Sequence, residues 1–135
     1  MKEHKKLSAL SQQEMMKGIA EKKRRKEREI KGLEILQAVY GEATAIGIPE
    51  KIANMDNVID VTTPLQFMVS DSKIKLYAGS KEDYMGFWKG SEKNCRLYVR
   101  YCFNEKVYEI EVEDNEPLYL PSFRAVCMGE ANEVC

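Results

Sequence analysis

The sequence predicts an α+β fold, in which an N-terminal charged α-helix is followed by a compact, mostly antiparallel and sandwich-like β-sheet domain. Apolar residues recur about every four positions before Gly32 and at alternate positions after it. The net charge changes at the same point, from +6 over residues 1–31 (11 basic, 5 acidic) to −7 over residues 32–135 (10 basic, 17 acidic). A chain of 135 residues forms one ordinary core. We therefore predict a basic helical arm at 1–32, a β domain at 33–122 and a loose tail at 123–135.

The arm is predicted to become helical at Ser11, because Ser11 and Glu14 have the spacing of a capping box. Met15, Met16, Ile19 and Ala20 then form a short apolar stripe at helical spacing. Residues 22–29 contain no apolar residue, which predicts a solvated segment without a face to bury. A glycine at position 32 is well placed to end the helix.

The basic run within this helix is a candidate docking site for an acidic protein or for anionic lipid headgroups. Its candidate contacts are Lys22, Lys23, Arg24, Arg25 and Lys26. The same run is compatible with a nuclear-localisation signal or a nucleic-acid patch. Interspersed glutamates weaken the positive electrostatic potential of the run. No aromatic residue precedes Tyr40 to stack on a base, and both observations argue against nucleic-acid binding.

The β domain opens with a predicted strand at 33–40, which ends at Gly41. A polar loop containing Gly47 and Pro49 follows. Residues 59–70 alternate between apolar and polar, which predicts one long half-buried strand. Pro64 is expected at an edge, at a bend or at the join between two shorter strands, because it lacks a backbone donor. A two-residue turn at 71–72 would return the chain and pair Val69 with Ile74.

A second hairpin is predicted around a two-residue turn at Asn104-Glu105. In this register apolar residues oppose apolar residues on one face, and cations oppose anions on the other. The predicted pairs are Tyr101 with Tyr108, Val99 with Ile110, Leu97 with Val112, Arg100 with Glu109, and Arg96 with Glu113. A slip of one residue would bury the arginines, so the register is strongly specified. Pro117 and Pro121 then enclose a short last strand at 118–120, and no clear period follows.

Residues 81–90 hold the only tryptophan of the chain among turn-forming residues. The aromatic side chains Tyr84, Phe87 and Trp88 are candidate partner contacts on an exposed loop. The alternative is that they fold back as a lid on the open end of the sheet.

The residues offer poor material for catalysis. The single histidine, His4, stands near the N-terminus, and no phosphate-binding loop, dinucleotide fingerprint or HExxH string occurs. Glu109 and Glu111 share one strand face, but the pairing with Arg100 indicates surface ladder charges. We predict no enzyme activity, no catalytic residue and no cofactor.

The four cysteines indicate a reducing compartment rather than a disulfide scaffold. Their spacings include no CxxC pair, which argues against a zinc site, so we predict no metal ligand. Cys95 is predicted to lie in the core and Cys102 on the outer face beside Val107. A thiol-redox role for Cys127 and Cys135 stays open.

Three stretches together resemble the C-terminal domain of the DnaJ homolog subfamily C member 11 family. They are LEILQAVYG at 33–41, VIDVTTPLQFMVSDSKIKL at 58–76 and KNCRLYVRYCFNEKVYEIEVEDNEPLYLP at 93–121. The charged helix before them also resembles the family. The sequence departs from the family pattern because His4 is followed by Lys5, so the His-Pro-Asp tripeptide of a J domain is absent. The chain is then a fragment of a longer protein or a relative without a J domain. The aromatic loop departs too, since Gly86-Phe87 matches the family and Trp88-Lys89-Gly90 does not.

The resemblance implies a mitochondrial, membrane-associated, co-chaperone-like protein connected with cristae organisation. We expect a non-enzymatic protein-interaction or scaffold module within a larger complex. It would have protein partners, a peripheral contact with anionic membrane and no small-molecule substrate. The alternative is a nuclear or nucleic-acid-associated adaptor that uses the basic helix, with a nuclear or cytoplasmic location. An exposed sheet edge is a further route to a partner.

Overall fold

The computed structural model describes residues 2–42, 58–89 and 95–131, with side chains from residue 5 onward. The helices are α1 (Lys2–Ile30) and α2 (Thr62–Met68). The strands are β1 (Glu34–Glu42), β2 (Val58–Asp60), β3 (Ile74–Leu76), β4 (Cys95–Phe103), β5 (Lys106–Glu113), β6 (Leu118–Leu120) and β7 (Val126–Glu130). One 3₁₀ turn spans Lys81–Asp83. The predicted α+β class is confirmed, while the loop predicted around Gly47 and Pro49 lies outside the described residues.

Five strands form one antiparallel sheet in the order β2-β1-β4-β5-β7, and β3 pairs with β6 in a separate two-stranded sheet. The core lies between the larger sheet and a layer made of α2, the small sheet and the aromatic loop. Leu97 and Val99 enter it from β4, Leu65 from α2 and Ile74 from β3, all at most 1% exposed.

The β4–β5 hairpin has the predicted register at every pair. Asn104 and Glu105 both adopt left-handed backbone conformations, with φ of 52° and 66°, as a two-residue turn with matching twist requires. Leu97, Val99 and Tyr101 of β4 are buried. The salt bridges from Arg96 and Arg100 to β5 carboxylates lie on the other face. The prediction held because both faces specified the same alignment.

The long strand predicted over 59–70 is wrong. Only Val58–Asp60 is a strand, and Thr62–Met68 is the helix α2. Val61, Leu65 and Val69 lie four residues apart, so these buried positions fit a helix as well as they fit alternation. Pro64 lies in the first turn of α2, where a missing N–H breaks no helical hydrogen bond.

The turn predicted at 71–72 is present, but the hairpin around it is not. Asp71 and Ser72 have φ of 53° and 59°, and only an isolated bridge joins Ser70 to Lys73. β3 pairs instead with β6, where Ile74 lies opposite Leu120. The predicted ladder that started from Val69 and Ile74 fails because the residues before the turn are helical.

The buried edge of β1 is completed by side chains of α2. The Gln66 amide accepts a hydrogen bond from the Ile35 N–H at 2.7 Å and donates one to the Leu33 carbonyl at 3.3 Å. Thr62 Oγ1 accepts a hydrogen bond from the Ala38 N–H at 2.9 Å. β2 pairs only with residues 39–41 of β1. The contacts from α2 therefore fill the earlier part of this edge, which β2 does not reach.

Helix α1 begins at Lys2 rather than at the predicted Ser11, which lies inside it. The prediction that the helix is solvated is wrong, because a line of side chains at Ala9, Met16, Ala20 and Glu27 is buried. The two alanines and Met16 allow close packing, and α1 lies against α2 and β1. Hydrophobic periodicity did not reveal this buried face, because two of its residues are alanines and a third is the charged, hydrogen-bonded Glu27.

The helix ends where predicted, but Gly32 is required for a different reason. The left-handed residue is Lys31, with φ of 58°. A Cβ on Gly32 would lie 2.2 Å from Glu27 Oε1 and 2.4 Å from Ser72 Oγ. The missing side chain therefore leaves room for the Glu27 carboxylate, which accepts a hydrogen bond from the Leu33 N–H at 2.8 Å.

The loose tail predicted at 123–135 is wrong for part of its length. Strand β7, over Val126–Glu130, pairs with β5 and forms one edge of the five-stranded sheet. The tail gave no apolar alternation because both faces of β7 are largely exposed and a bulge interrupts its register. The last four residues lie outside the described range.

Candidate functional site

The structure divides the basic run of α1 into side chains that serve the fold and side chains that face solvent. Lys23 points inward, where its Nζ donates to the Phe67 carbonyl at 2.5 Å and lies 5.3 Å from the Phe67 ring. Arg24 donates to the Glu21 carboxylate at 2.9 Å. Lys23 is therefore part of the α1–α2 contact, and the five candidates do not form one surface.

The remaining three members of the run, Lys22, Arg25 and Lys26, are exposed. Arg25 Nε donates to the Glu21 carbonyl of its own helix at 3.5 Å. Lys22 and Lys26 lie one turn apart, so their side chains are neighbours on one side of the helix. These two side chains are the part of the run that a partner can reach most freely.

The aromatic candidates are largely enclosed. Phe87 and Trp88 are each 5% exposed and belong to the core, and Tyr84 is half-buried. The Phe87 ring lies 5.3 Å from the Tyr40 ring, and the Lys6 ammonium lies 5.0 Å from the Trp88 ring. The three aromatics thus hold the loop against the sheet and α1, as the lid interpretation requires.

A buried polar network fixes the start of this loop. Lys81 is completely buried, and its Nζ donates to three backbone carbonyls: Glu113 at 3.2 Å, Asp114 at 2.7 Å and Glu116 at 2.5 Å. Its backbone N–H donates to the Asp114 carboxylate at 2.9 Å. The loop is therefore attached to the turn that follows β5 by both the backbone and the side chain of one residue.

The Asp114 carboxylate is the acceptor at the centre of this network. It receives hydrogen bonds from the Tyr40 hydroxyl at 2.7 Å and the Ser80 hydroxyl at 3.0 Å, and the Lys89 ammonium lies 3.2 Å away. Burial raises the pKa of this carboxyl, but the hydrogen bonds together outweigh burial and leave the pKa below its ordinary value. Asp114 therefore stays ionised in the folded protein.

Burial also changes the proton affinity of the other two members. It lowers the pKa of the Lys81 ammonium, against the nearby charges of Asp114 and Glu116. It raises the pKa of the Tyr40 hydroxyl, and the hydrogen bond to Asp114 acts in the same direction. All three Lys81 protons point to carbonyls, which suits an anchor for the loop more than a nucleophile.

Sequence reasoning did not single out Lys81, Asp114 or Gln66. Lys81 and Asp114 are 33 residues apart in the chain. Asp114 lies between Glu113 and Glu116, and no local sequence pattern shows which of these carboxylates a distant lysine will meet. Gln66 occupies a position that strand alternation assigned to the outer face. Pro64 was a partial signal, because proline is tolerated in the first turn of a helix, where its missing N–H breaks no helical hydrogen bond.

The cysteines have the predicted positions where the structure describes them. Cys95 is buried, and Cys102 is half-buried opposite Val107. Cys127 is an exposed free thiol on β7, while Cys135 lies outside the described residues. Among the residues that the structure covers, no three His, Cys, Asp or Glu side chains are grouped so that they could hold a metal ion. In the same part of the chain, no helix is long and apolar enough to cross a membrane.

Comparison with known proteins gives a consistent match. The family model described as DnaJ-like protein C11, C-terminal, matches residues 1–121, which include α1. A protein of Dictyostelium discoideum named DnaJ homolog subfamily C member 11 homolog is 37% identical over 117 residues, covering 79% of this chain and 19% of that protein. The Pongo abelii protein named DnaJ homolog subfamily C member 11 is 39% identical over 93 residues, covering 67% of this chain and 16% of that protein.

This chain therefore spans less than a fifth of the length of these relatives. No solved structure matches it. The family match covers the helix and the sheet domain up to the end of β6, and the resemblance expected from the sequence is confirmed. The chain belongs to the family of C-terminal domains of DnaJ-like protein C11.

Proposed function

We propose that this chain is a non-enzymatic, co-chaperone-like interaction module, which acts as a scaffold element in a complex that organises a mitochondrial membrane. The observation that carries the proposal is its membership of the DnaJ-like C11 C-terminal family. A scaffold role also agrees with the chemistry of the buried polar groups. Lys81, Asp114 and Gln66 are engaged in holding loops and strand edges.

The charge distribution supports a two-sided module. Residues 1–31, most of which form α1, carry a net charge of +6, and residues 32–135 carry a net charge of −7. An elongated basic surface beside an acidic one offers different contacts to different partners. We propose protein partners for the body and a mitochondrial location, for which the family resemblance is the support.

The test combines location with partner identification. The full chain with a C-terminal affinity tag would be expressed in cells, fractionated, and purified under native conditions for quantitative mass spectrometry. We expect enrichment in the mitochondrial membrane fraction and recovery of a defined set of mitochondrial membrane proteins. A nuclear location with bound nucleic acid would contradict the proposal and favour the adaptor function. The matched control is the chain with Gln66→Leu, whose fold is weakened while its surface charge is kept.

A further inference from the structure

A stripe on the exposed side of α1 combines apolar and basic side chains without an intervening acid. We define the outer stripe as Met15, Ile19, Lys22 and Lys26. These residues are spaced by four, three and four positions, so they are neighbours along one side of the helix. Met15 is 83% exposed and Ile19 is 51% exposed, and both lysines are exposed.

The acidic residues of α1 lie away from the outer stripe. Glu21 pairs with Arg24, and the buried Glu27 binds the Leu33 N–H. At about 100° per residue, Glu14 lies on another side of the helix from Met15. Glu29, three positions beyond Lys26, is the first carboxylate to adjoin the stripe. No ion pair involves Lys22 or Lys26 within the described ranges 2–42, 58–89 and 95–131.

The buried line of α1 fixes how this stripe is presented. Ala9, Met16 and Ala20 attach the helix to the body, so the outer stripe cannot turn inward without breaking the fold. Lys23, which adjoins the stripe, is already held by Phe67. The stripe is therefore a fixed surface on a rigid helix and not part of a mobile arm.

We infer that the outer stripe docks on an anionic membrane surface, with Met15 and Ile19 entering the headgroup region and Lys22 and Lys26 contacting lipid phosphates. Lysine side chains can keep an ammonium at the phosphates while their stems lie along apolar surface. Two neighbouring apolar residues followed by two lysines are too few anchors for a helix-binding protein groove, which reads apolar residues over two turns or more. Nucleic acid would leave both apolar side chains in water. This inference rests on the proposed membrane-associated function and names the surface that carries it.

The test is co-sedimentation of the full chain with vesicles of phosphatidylcholine and phosphatidylserine in a 7:3 ratio, in which phosphatidylserine supplies a negative surface potential. The charge variant is Lys22→Gln with Lys26→Gln, and the apolar variant is Met15→Ser with Ile19→Ser. The matched control is Lys17→Gln with Arg28→Gln, which removes the same charge from two exposed residues on the side of α1 opposite the outer stripe. Far-UV circular dichroism verifies that each variant remains folded.

We expect both stripe variants to bind at least about tenfold more weakly than the unaltered chain, and the control to bind within about threefold. Equal losses in the control and the stripe variants would overturn the inference, because total charge alone would then explain binding. Unchanged binding by the stripe variants, or equally strong binding to pure phosphatidylcholine, would overturn it too. Binding to poly-L-glutamate but not to vesicles would assign the stripe to an acidic protein instead.

Failure of this inference can be separated from failure of the proposed function. Suppose that the stripe variants bind vesicles as well as the unaltered chain does, while the tagged chain still co-purifies with mitochondrial membrane proteins. In that case only the membrane role of the outer stripe is wrong, and the proposed function stands. If the chain is found in the nucleus, the proposed function fails whatever the vesicles show.

Discussion

Gln66 acts as a substitute for a β-strand neighbour. Its side-chain amide has the same donor and acceptor as a peptide group. It bonds to the Ile35 N–H of β1 and to the carbonyl of Leu33, the residue just before β1. Both hydrogen bonds are buried, and without Gln66 these two backbone groups would lose this partner. A single side chain thus joins α2 to the sheet and satisfies the edge of β1.

Replacement of this residue gives the first prediction. Gln66→Leu has a similar volume but leaves two buried backbone groups without partners, and we expect the free energy of unfolding to fall by about 2–4 kcal/mol. Chemical denaturation would measure the change. The control is Thr63→Ala on the same short helix, for which we expect about 0.5 kcal/mol or less. A loss no larger at Gln66 than at Thr63 would refute the strand-substitute role.

The second prediction concerns the pH dependence that Asp114 confers. Because its folded pKa lies below the ordinary 3.8, its stabilisation is complete above that value and is lost as the pH falls from about 4 toward the folded pKa. Asp114→Asn should therefore lower stability at pH 7 and flatten the acid branch of the stability curve. The exposed Asp83→Asn serves as the control. Thermal unfolding between pH 2 and 7 measures both, and an unchanged acid branch in Asp114→Asn would contradict the assignment.

Single residues were the hardest scale to predict from the sequence. Lys81 and Asp114 become partners only after the fold brings residues 33 positions apart together. Gly32 was correctly predicted to mark the helix end, but the reason is the space for Glu27, which requires the tertiary structure. Local sequence patterns indicate which backbone conformation a residue prefers, but they cannot show which distant group its side chain contacts.

At the scale of elements, the contact between α1 and α2 depends on small side chains. Ala20 is 2% exposed in the buried line of α1, whereas Gly18, two residues earlier, has no atom within 4 Å of the position that a Cβ would occupy. The same helix therefore offers a position where added volume should be harmful and one where it should help.

The third prediction uses these two positions as mutual controls. Ala20→Leu should lower the free energy of unfolding by about 1–3 kcal/mol, because it overfills a closed interface. Gly18→Ala should raise it by about 0.5–1 kcal/mol, because it adds helix propensity without a clash. Denaturant titration of both variants would measure the signs. Equal effects at the two positions would mean that α1 is not packed as the structure shows.

Elements were predictable where two independent constraints agreed. Apolar pairing on one face and charge pairing on the other fixed the β4–β5 hairpin. Residues 59–70 satisfied only one constraint, because a spacing of four belongs to both a strand face and a helix face. Strand β7 had neither, since it is a bulged and exposed edge that owes its position to β5.

At the scale of the whole molecule, the helix and the sheet domain form one structure rather than an arm and a body. The only tryptophan, Trp88, is 5% exposed, and the Lys6 ammonium from α1 lies 5.0 Å from its ring. Helix α1 contributes Ala9 to the same hydrophobic cluster. The change of charge and periodicity near Gly32 therefore marks a change of element within a continuous core.

The fourth prediction follows from this shared core. Ellipticity at 222 nm, dominated by the 29 residues of α1, and Trp88 fluorescence should report the same thermal midpoint. The control is Leu7→Ala, which changes an exposed side chain of α1. In this variant the two signals should again give the same thermal midpoint. A helix signal that melts clearly before the fluorescence signal would show that α1 unfolds independently of the sheet.

The enclosure of Lys81 has a consequence for chemical modification. An amine whose three protons are held by main-chain carbonyls has no lone pair to offer an acylating reagent or an acetyltransferase. Most other lysines in the described chain are exposed or half-exposed and can react from the native state. Lys81 can therefore be modified only while the aromatic loop is detached, so the extent of its modification reports how often the loop opens. An acylated Lys81 could not form the three hydrogen bonds again, and the loop could not return to its native position.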